Sequence, residues 1–271
     1  MSFATWASLG RLRAADEVWI HCGWLPCLWW AALWGRNVRW VPEACYDPVR
    51  LKFHGWKKWF VGPIERWSLR RCAKIIATCE AERDWIKKYL GRCCPSVEVT
   101  DIKRFFKLVS GGVESGRVCS PTSHLPPPNS QLTTHNSQLH LLYLGRRHPL
   151  KGLEYLETAV SQLNSSNPPP TTPPLLRIVS NAFGEELEKV WDWCDVLVLP
   201  TLSDNFGLVI AEALERGKRV ITTDGAPAWD TGNTYGGRLT YLSGYRNGTN
   251  AQRIGLLRDV IQCCLGDTNY V

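Results

Sequence analysis

Residues 196–230 read VLVLPTLSDNFGLVIAEALERGKRVITTDGAPAWD. A short apolar run, a polar loop, an apolar-periodic stretch closed by Gly217 and a second β-branched run follow in turn. Apolar runs this short, bounded by turn residues, suit strands buried on both faces, as in parallel sheets. Two such strands joined through a helix make the crossover that a parallel sheet requires. The segment therefore confines the chain to the α/β class.

The same alternation recurs on both sides of one interruption. Before it, strands are expected over Asp16–Cys22, Val38–Val41 and Ala73–Thr78, with helices over Leu25–Trp34 and Glu80–Leu90. Asp47-Pro48 is expected to open a turn. After it come strands over His140–Gly145, Leu175–Ser180, Val196–Pro200 and Arg219–Thr223. Helices are expected over Leu153–Leu163, Glu185–Trp193, Leu208–Arg216 and Arg253–Cys264. The interruption, 108–139, contains Gly111-Gly112, three successive prolines from Pro126, and NSQL twice. Such composition has little to pack and reads as a linker. The expected organisation is thus a domain over 1–107, a low-complexity linker over 108–139, and a second domain over 140–271.

Charge separates the halves. Residues 1–110 hold 19 basic and 10 acidic residues, whereas 111–271 hold 13 and 15. Eleven of the 14 tryptophans also fall before residue 86. An anionic partner is suggested for the first half. Segment 49–74 interleaves Phe53, Trp56, Trp59, Phe60 and Trp67 with eight basic residues and one acid, Glu65. It fits an interfacial helix on anionic lipid, and equally a core-packing helix with a solvated basic face. No nucleic-acid-binding motif accompanies the charge, so nucleic acid is not an expected partner. The apolar stretch Val18–Gly35 carries His21 and Pro26 and is short for a membrane span of about 20 residues. The 11 cysteines include no CxxC and no zinc-type spacing, so they read as small hydrophobes in a reducing compartment. The expectation is a cytoplasmic protein, peripheral on the inner face of the cell membrane.

Two segments carry candidate chemistry. The loop Thr201–Phe206 feeds a helix beginning near Gly207, and a helix N-terminus offers free N–H groups to a phosphate. Glu212 lies one turn beyond Leu208 on the same face, where a carboxylate can accept from sugar hydroxyls. Gly145–Gly152 (GRRHPLKG) follows a strand and supplies Arg146 and Lys151, two cations suited to a diphosphate. His148 reads as a surface histidine, and His21 beside Cys22 as structural.

Together these residues resemble the retaining glycosyltransferases of the GT-B fold, group 1 (family 4). The motifs are GRxxxxKG at Gly145–Gly152 and the E-x7-E helix entry, here Asp204 to Glu212. LSDNFGLVIAEAL and VITTDGAPAW resemble members that build lipopolysaccharide and surface polysaccharides. VWIHCGW, DPVRLKFHGWKKW and ERWSLRRCAKIIATCEAE resemble the later part of the family's acceptor domain. The resemblance implies two Rossmann-like domains facing a cleft, the first incomplete and N-terminally shortened. It implies that Arg146 and Lys151 neutralise the nucleotide diphosphate and that Asp204 holds hydroxyls of the transferred sugar. Backbone N–H groups over Phe206, Gly207, Leu208 and Val209 would hold the sugar and distal phosphate, and Glu212 the ribose. The implied reaction moves a hexosyl group from a nucleotide-sugar to a glycan or lipid-linked hydroxyl with retention. No metal or further cofactor is implied.

Three departures stand out. Asp204 replaces the family's usual glutamate. Glu43 occupies the place of a histidine in the turn before Asp47-Pro48 and takes its polar role if that role is kept. The family's first strand and glycine-rich loop have no counterpart before VWIHCGW. The alternative expectation is therefore a non-catalytic, truncated remnant acting as a membrane-associated binding subunit.

Overall fold

The computed structural model describes residues 11–53, 55–100, 138–232 and 234–266, without the side chains of Lys57 and Cys93. The chain divides into two compact units, Met1–Val113 and Glu114–Val271. Most of the expected linker, 108–137, lies outside the described residues.

The first unit holds β1 (Val18–His21), α1 (Pro26–Trp34), β2 (Val38–Val41), α2 (Pro48–Lys52), α3 (Gly55–Arg70), β3 (Lys74–Ala77), α4 (Glu80–Leu90) and β4 (Val97–Val99). Its sheet runs β1-β2-β3-β4, all parallel. The apolar stretch Val18–Gly35 divides into a four-residue strand and a nine-residue helix. Pro26 at the helix start costs no hydrogen bond, and among the described residues no helix is long and apolar enough to cross a membrane. α4 has Glu80 and Glu82 in its first turn and Lys87 and Lys88 in its last, matching the helix dipole. Gly91 then takes a φ of +68° and stops it.

The second unit holds β5 (His140–Leu144), α5 (Leu153–Asn164), β6 (Leu175–Val179), α6 (Glu185–Trp193), β7 (Val196–Leu199), α7 (Leu208–Glu215), β8 (Arg219–Thr223), β9 (Leu239–Leu242) and α8 (Asn250–Gly266). The sheet order is β6-β5-β7-β8-β9, again all parallel. Every residue of central β7 is buried. Leu141, Val196, Val198 and Ile221 pack from the sheet against Leu156, Ala159, Leu257 and Ile261 of the helices.

Three local outcomes differ from the sequence expectations. Asp47-Pro48 starts α2 rather than a free turn, because the Asp47 carboxylate accepts the Val49 amide at 2.8 Å and caps it. β4 and β9 lacked a long enough apolar run to announce themselves. α8 begins three residues before Arg253. Thr249 and Gln252 form a reciprocal capping box, in which the Thr249 amide donates to Gln252 Oε1 at 2.7 Å and the Gln252 amide donates back to Thr249 Oγ1 at 3.3 Å.

One buried carboxylate ties the first unit together. Glu65 is fully buried on α3. It accepts the Trp24 amide at 3.0 Å, the Tyr46 hydroxyl at 2.5 Å, and the Trp29 indole N–H. The acid thus joins α3 to α1 and to the β1–α1 and β2–α2 connections. Truncating it orphans three donors, each costing about 1–3 kcal/mol when left unsatisfied. Glu65→Ala is therefore expected to destabilise the unit by roughly 3 kcal/mol or more in chemical denaturation. An unchanged midpoint would show that Glu65 does not organise the fold.

Candidate functional site

In an open parallel sheet, ligands bind where the strand order reverses, outside the carboxyl ends of the strands. The order β6-β5-β7-β8-β9 reverses between β5 and β7. The loops leaving these two strands are 145–152 and 200–207, the segments that carry Arg146, Lys151 and Asp204. Topology and motif thus point independently to one place.

The β5 loop is rigid for local reasons. The hydroxyl of fully buried Tyr143 donates to the Arg146 carbonyl at 2.9 Å. His148 Nδ1 accepts the Leu150 amide at 3.2 Å and caps a single 3₁₀ turn, Pro149–Lys151. Gly152 ends the turn at φ +65°, and a Cβ there would lie 2.0 Å from the Pro200 carbonyl oxygen. Only glycine permits that approach. Arg146 is exposed, and Arg147 is committed to Glu157 at 3.4 Å.

The β7 loop is clamped from both sides. The Leu150 carbonyl accepts the Thr201 hydroxyl at 3.0 Å and the Leu202 amide at 2.8 Å. On the opposite flank, the Asp204 amide donates to the Gly225 carbonyl at 2.7 Å. A Cβ on Gly225 would fall 2.0 Å from the Thr201 carbonyl oxygen, so this contact also demands glycine. The Trp229 indole N–H donates to the Phe206 carbonyl. Thr201, Gly225 and Trp229 lie within the segments singled out in the sequence, Thr201–Phe206 and VITTDGAPAW, but nothing there gives them a role of their own. The glycine in TTDGAPAW was the signal that could have exposed them.

Within this frame Lys151 Nζ meets Asp204 Oδ2 at 2.6 Å, and both side chains are less than a fifth exposed. Sequence reading assigned these residues to different parts of a ligand, and the structure brings them into direct contact. Asp204 Oδ1 accepts the Asn205 amide at 2.8 Å. Gly207 takes φ +55° and ψ +56°, turning the chain into α7. Phe206 is buried, while Leu208 is exposed. The Ile210 amide donates to the Gly207 carbonyl at 2.8 Å. The earlier amides, Leu208 and Val209, therefore point out of the helix end. Glu212 is half-buried on the first turns of α7, and burial pushes its carboxyl above the ordinary 4.5, opposed by Arg216.

Glu43 lies in the first unit, at the carboxyl end of that unit's sheet. His21 Nδ1 is 2.9 Å from Glu43 Oε1, and the Cys22 thiol donates to Oε2 at 3.1 Å. Glu43 and Ala44 both adopt left-handed backbone, at φ +54° and +58°. Such residues cost about 1–2 kcal/mol each. The turn is held by the Ala44 amide, which donates to fully buried Glu82, an acceptor also of the Thr78 amide and hydroxyl. The Glu43 hydrogen bond holds the His21 imidazole above its ordinary 6.5, against burial. In return His21 holds Glu43 below 4.5. His21 was read as structural. The structure pairs it with Glu43, the candidate acid, across adjacent parallel strands.

Among the described residues, no group of His, Cys, Asp and Glu could hold a metal ion. The nine cysteines whose side chains are described are all free.

Residues 1–100 match the family model of the glycosyl transferase 4-like domain. A comparison with curated proteins finds no match. Solved structures resemble nearly the whole chain. A sucrose-phosphate synthase from Thermosynechococcus elongatus superposes with a TM-score of 0.63 at 15% identity, over 98% of this chain and 68% of its own. The Anabaena protein HepE, solved with UDP and glucose, gives 0.62 at 15% identity over 98% and 72%. A trehalose-6-phosphate synthase, studied for glycosyl transfer with retention, gives 0.57 at 12% identity over 98% and 73%. The chain therefore has the fold of the GT-B glycosyltransferases, α/β with parallel sheets in both units.

Proposed function

We propose that this chain transfers a hexosyl group from a nucleotide-sugar to a hydroxyl of a glycan or lipid-linked acceptor, with retention at the anomeric carbon. One observation carries the reading: Lys151, Asp204 and the N-terminus of α7 converge at the strand-order reversal. The match of 1–100 to a glycosyl transferase 4-like domain supports it independently. So does the fold shared with proteins named as sugar-phosphate synthases.

The chemistry follows from the donors and acceptors. An ammonium has three N–H donors. Lys151 gives one to Asp204, which leaves others for oxygens of the donor diphosphate. Arg146, exposed on the same loop, adds a second cation. The Leu208 and Val209 amides and the helix dipole favour the distal phosphate. Asp204 keeps lone pairs for hydroxyls of the transferred sugar, and Glu212 accepts from the ribose. As the bond from the anomeric carbon to phosphate breaks, the acceptor oxygen bonds to that carbon. The acceptor proton passes to the departing phosphate oxygen, so the protein supplies positioning and charge rather than a separate base. Neither a metal nor a further cofactor enters this reading. The acceptor class, a glycan of the cell surface, rests on the resemblance of LSDNFGLVIAEAL and VITTDGAPAW to surface-polysaccharide enzymes. In the first unit, the His21–Glu43 pair supplies a preorganised polar site for acceptor hydroxyls.

UDP-, ADP- and GDP-linked hexoses offered to the purified chain should reveal one that is turned over or hydrolysed. Lys151→Ala should lower kcat with that donor by about 100-fold, the usual loss on removing one aimed charge donor. Glu212→Ala should weaken binding of the free nucleotide about tenfold or more, the worth of a charge-assisted hydrogen bond. Nucleotide binding and turnover left unchanged by both substitutions would refute the assignment.

The acceptor-side pair gives a pH signature. A raised imidazole contributes stability that is complete below the ordinary 6.5 and lost as pH rises through its higher folded value. A lowered carboxyl contributes stability that is complete above 4.5 and lost as pH falls through its lower folded value. The pair is therefore at full strength between these two ordinary values. In Glu43→Gln, proton NMR should show His21 titrating at lower pH than in the wild type, with the resonance assigned through His21→Asn. An unmoved titration would deny the pairing.

A further inference from the structure

We infer that the outward face of α3 docks on an anionic lipid bilayer. Helices on globular proteins normally turn their apolar stripe inward. α3 does so with one side only. Fully buried Glu65, Ser68 and Leu69 anchor it to the unit. The opposite side shows Trp56, Trp59, Phe60, Ile64 and Trp67, the most exposed being Trp59 at 75%. Their spacing places them on one face of the helix. Trp59 and Phe60 meet edge to face, with centroids 5.0 Å apart. Folding therefore leaves this aromatic surface outside both hydrophobic cores.

Charge selects the occupant. Between 49 and 74 Glu65 is the single acid, and it is turned away from solvent with three donors on it. Lys52 at the end of α2 and Arg71 just past α3 are exposed, and the Arg71 guanidinium lies 5.3 Å over the Trp67 ring; exposed Arg70, at the end of α3, donates to the Leu90 carbonyl at 2.7 Å. Tryptophan favours the depth of lipid headgroups, and arginine and lysine pair with anionic ones. A protein interface core, by contrast, is depleted in charge. The inference does not rest on the donor assignment: a chain that binds nucleotide yet ignores vesicles would overturn this proposal alone.

The test is flotation of the full chain with phosphatidylcholine vesicles, with and without phosphatidylglycerol. The wild type should float with the anionic vesicles only, less so as salt screens the attraction. Trp59→Ala/Phe60→Ala, at exposed positions, should weaken partitioning at least about tenfold. Its circular dichroism and melting temperature should match the wild type. Lys52→Gln/Arg71→Gln should lose the preference for anionic lipid. Wild-type protein that stays at the bottom of the gradient overturns the proposal, as does undiminished flotation of the aromatic variant. So does a vesicle-indifferent dimer that the aromatic substitutions dissociate, which would assign the face to self-association.

Discussion

The candidate donor site depends on two places where a backbone passes too close to another for any side chain. Gly152 faces the Pro200 carbonyl and Gly225 faces the Thr201 carbonyl, each with room for no Cβ. These approaches stack the loops that follow β5, β7 and β8 into one layer. That stacking lets the Leu150 carbonyl, which accepts the Thr201 hydroxyl and the Leu202 amide, and the Gly225 carbonyl, which accepts the Asp204 amide, hold opposite sides of 201–204. The Lys151–Asp204 contact and the entry into α7 are consequences of this layer. A charged pair that is mostly shielded from water is strong only where its geometry is fixed. Here the fixing comes from close main-chain approaches, with the side chains of Tyr143, His148, Thr201 and Trp229 bonding to the loop backbone.

The first unit solves a different problem with buried acids. Glu65 joins α3 to the connections after β1 and β2. Glu82 holds the left-handed pair Glu43–Ala44. Because Glu65 faces inward, α3 can present an acid-free aromatic and basic surface. Because Glu82 secures the turn, Glu43 can stand beside His21 at the carboxyl end of the sheet. Two interior carboxylates thus determine which chemistry the unit shows outside.

Much of this was legible in the sequence, and unevenly so. Val38–Val41, Glu80–Leu90, Glu185–Trp193 and Arg219–Thr223 were read to the residue, since each has turn residues or a glycine at its end. β4 and β9 were not, because they are edge strands that are mostly not buried, with polar Glu98 and Thr240 inside them, and their identity comes from the one strand each pairs with. The loop 145–152 and the entry to α7 were legible because glycine and charge recur there at fixed spacing. The Lys151–Asp204 contact was not, since it is created by the pairing of β5 with β7. The pairing of His21 with Glu43 escaped for the same reason: two adjacent parallel strands bring together residues 22 positions apart.

In the proposed function, loops 145–152 and 200–207, with the start of α7, cradle a nucleotide diphosphate. Amide hydrogen exchange, followed by mass spectrometry with and without saturating UDP, tests it most directly. Exchange should slow in peptides covering 145–152 and 200–212, with the Leu208 and Val209 amides among the protected sites. Unchanged exchange in both peptides, or protection confined to the first unit, would contradict it.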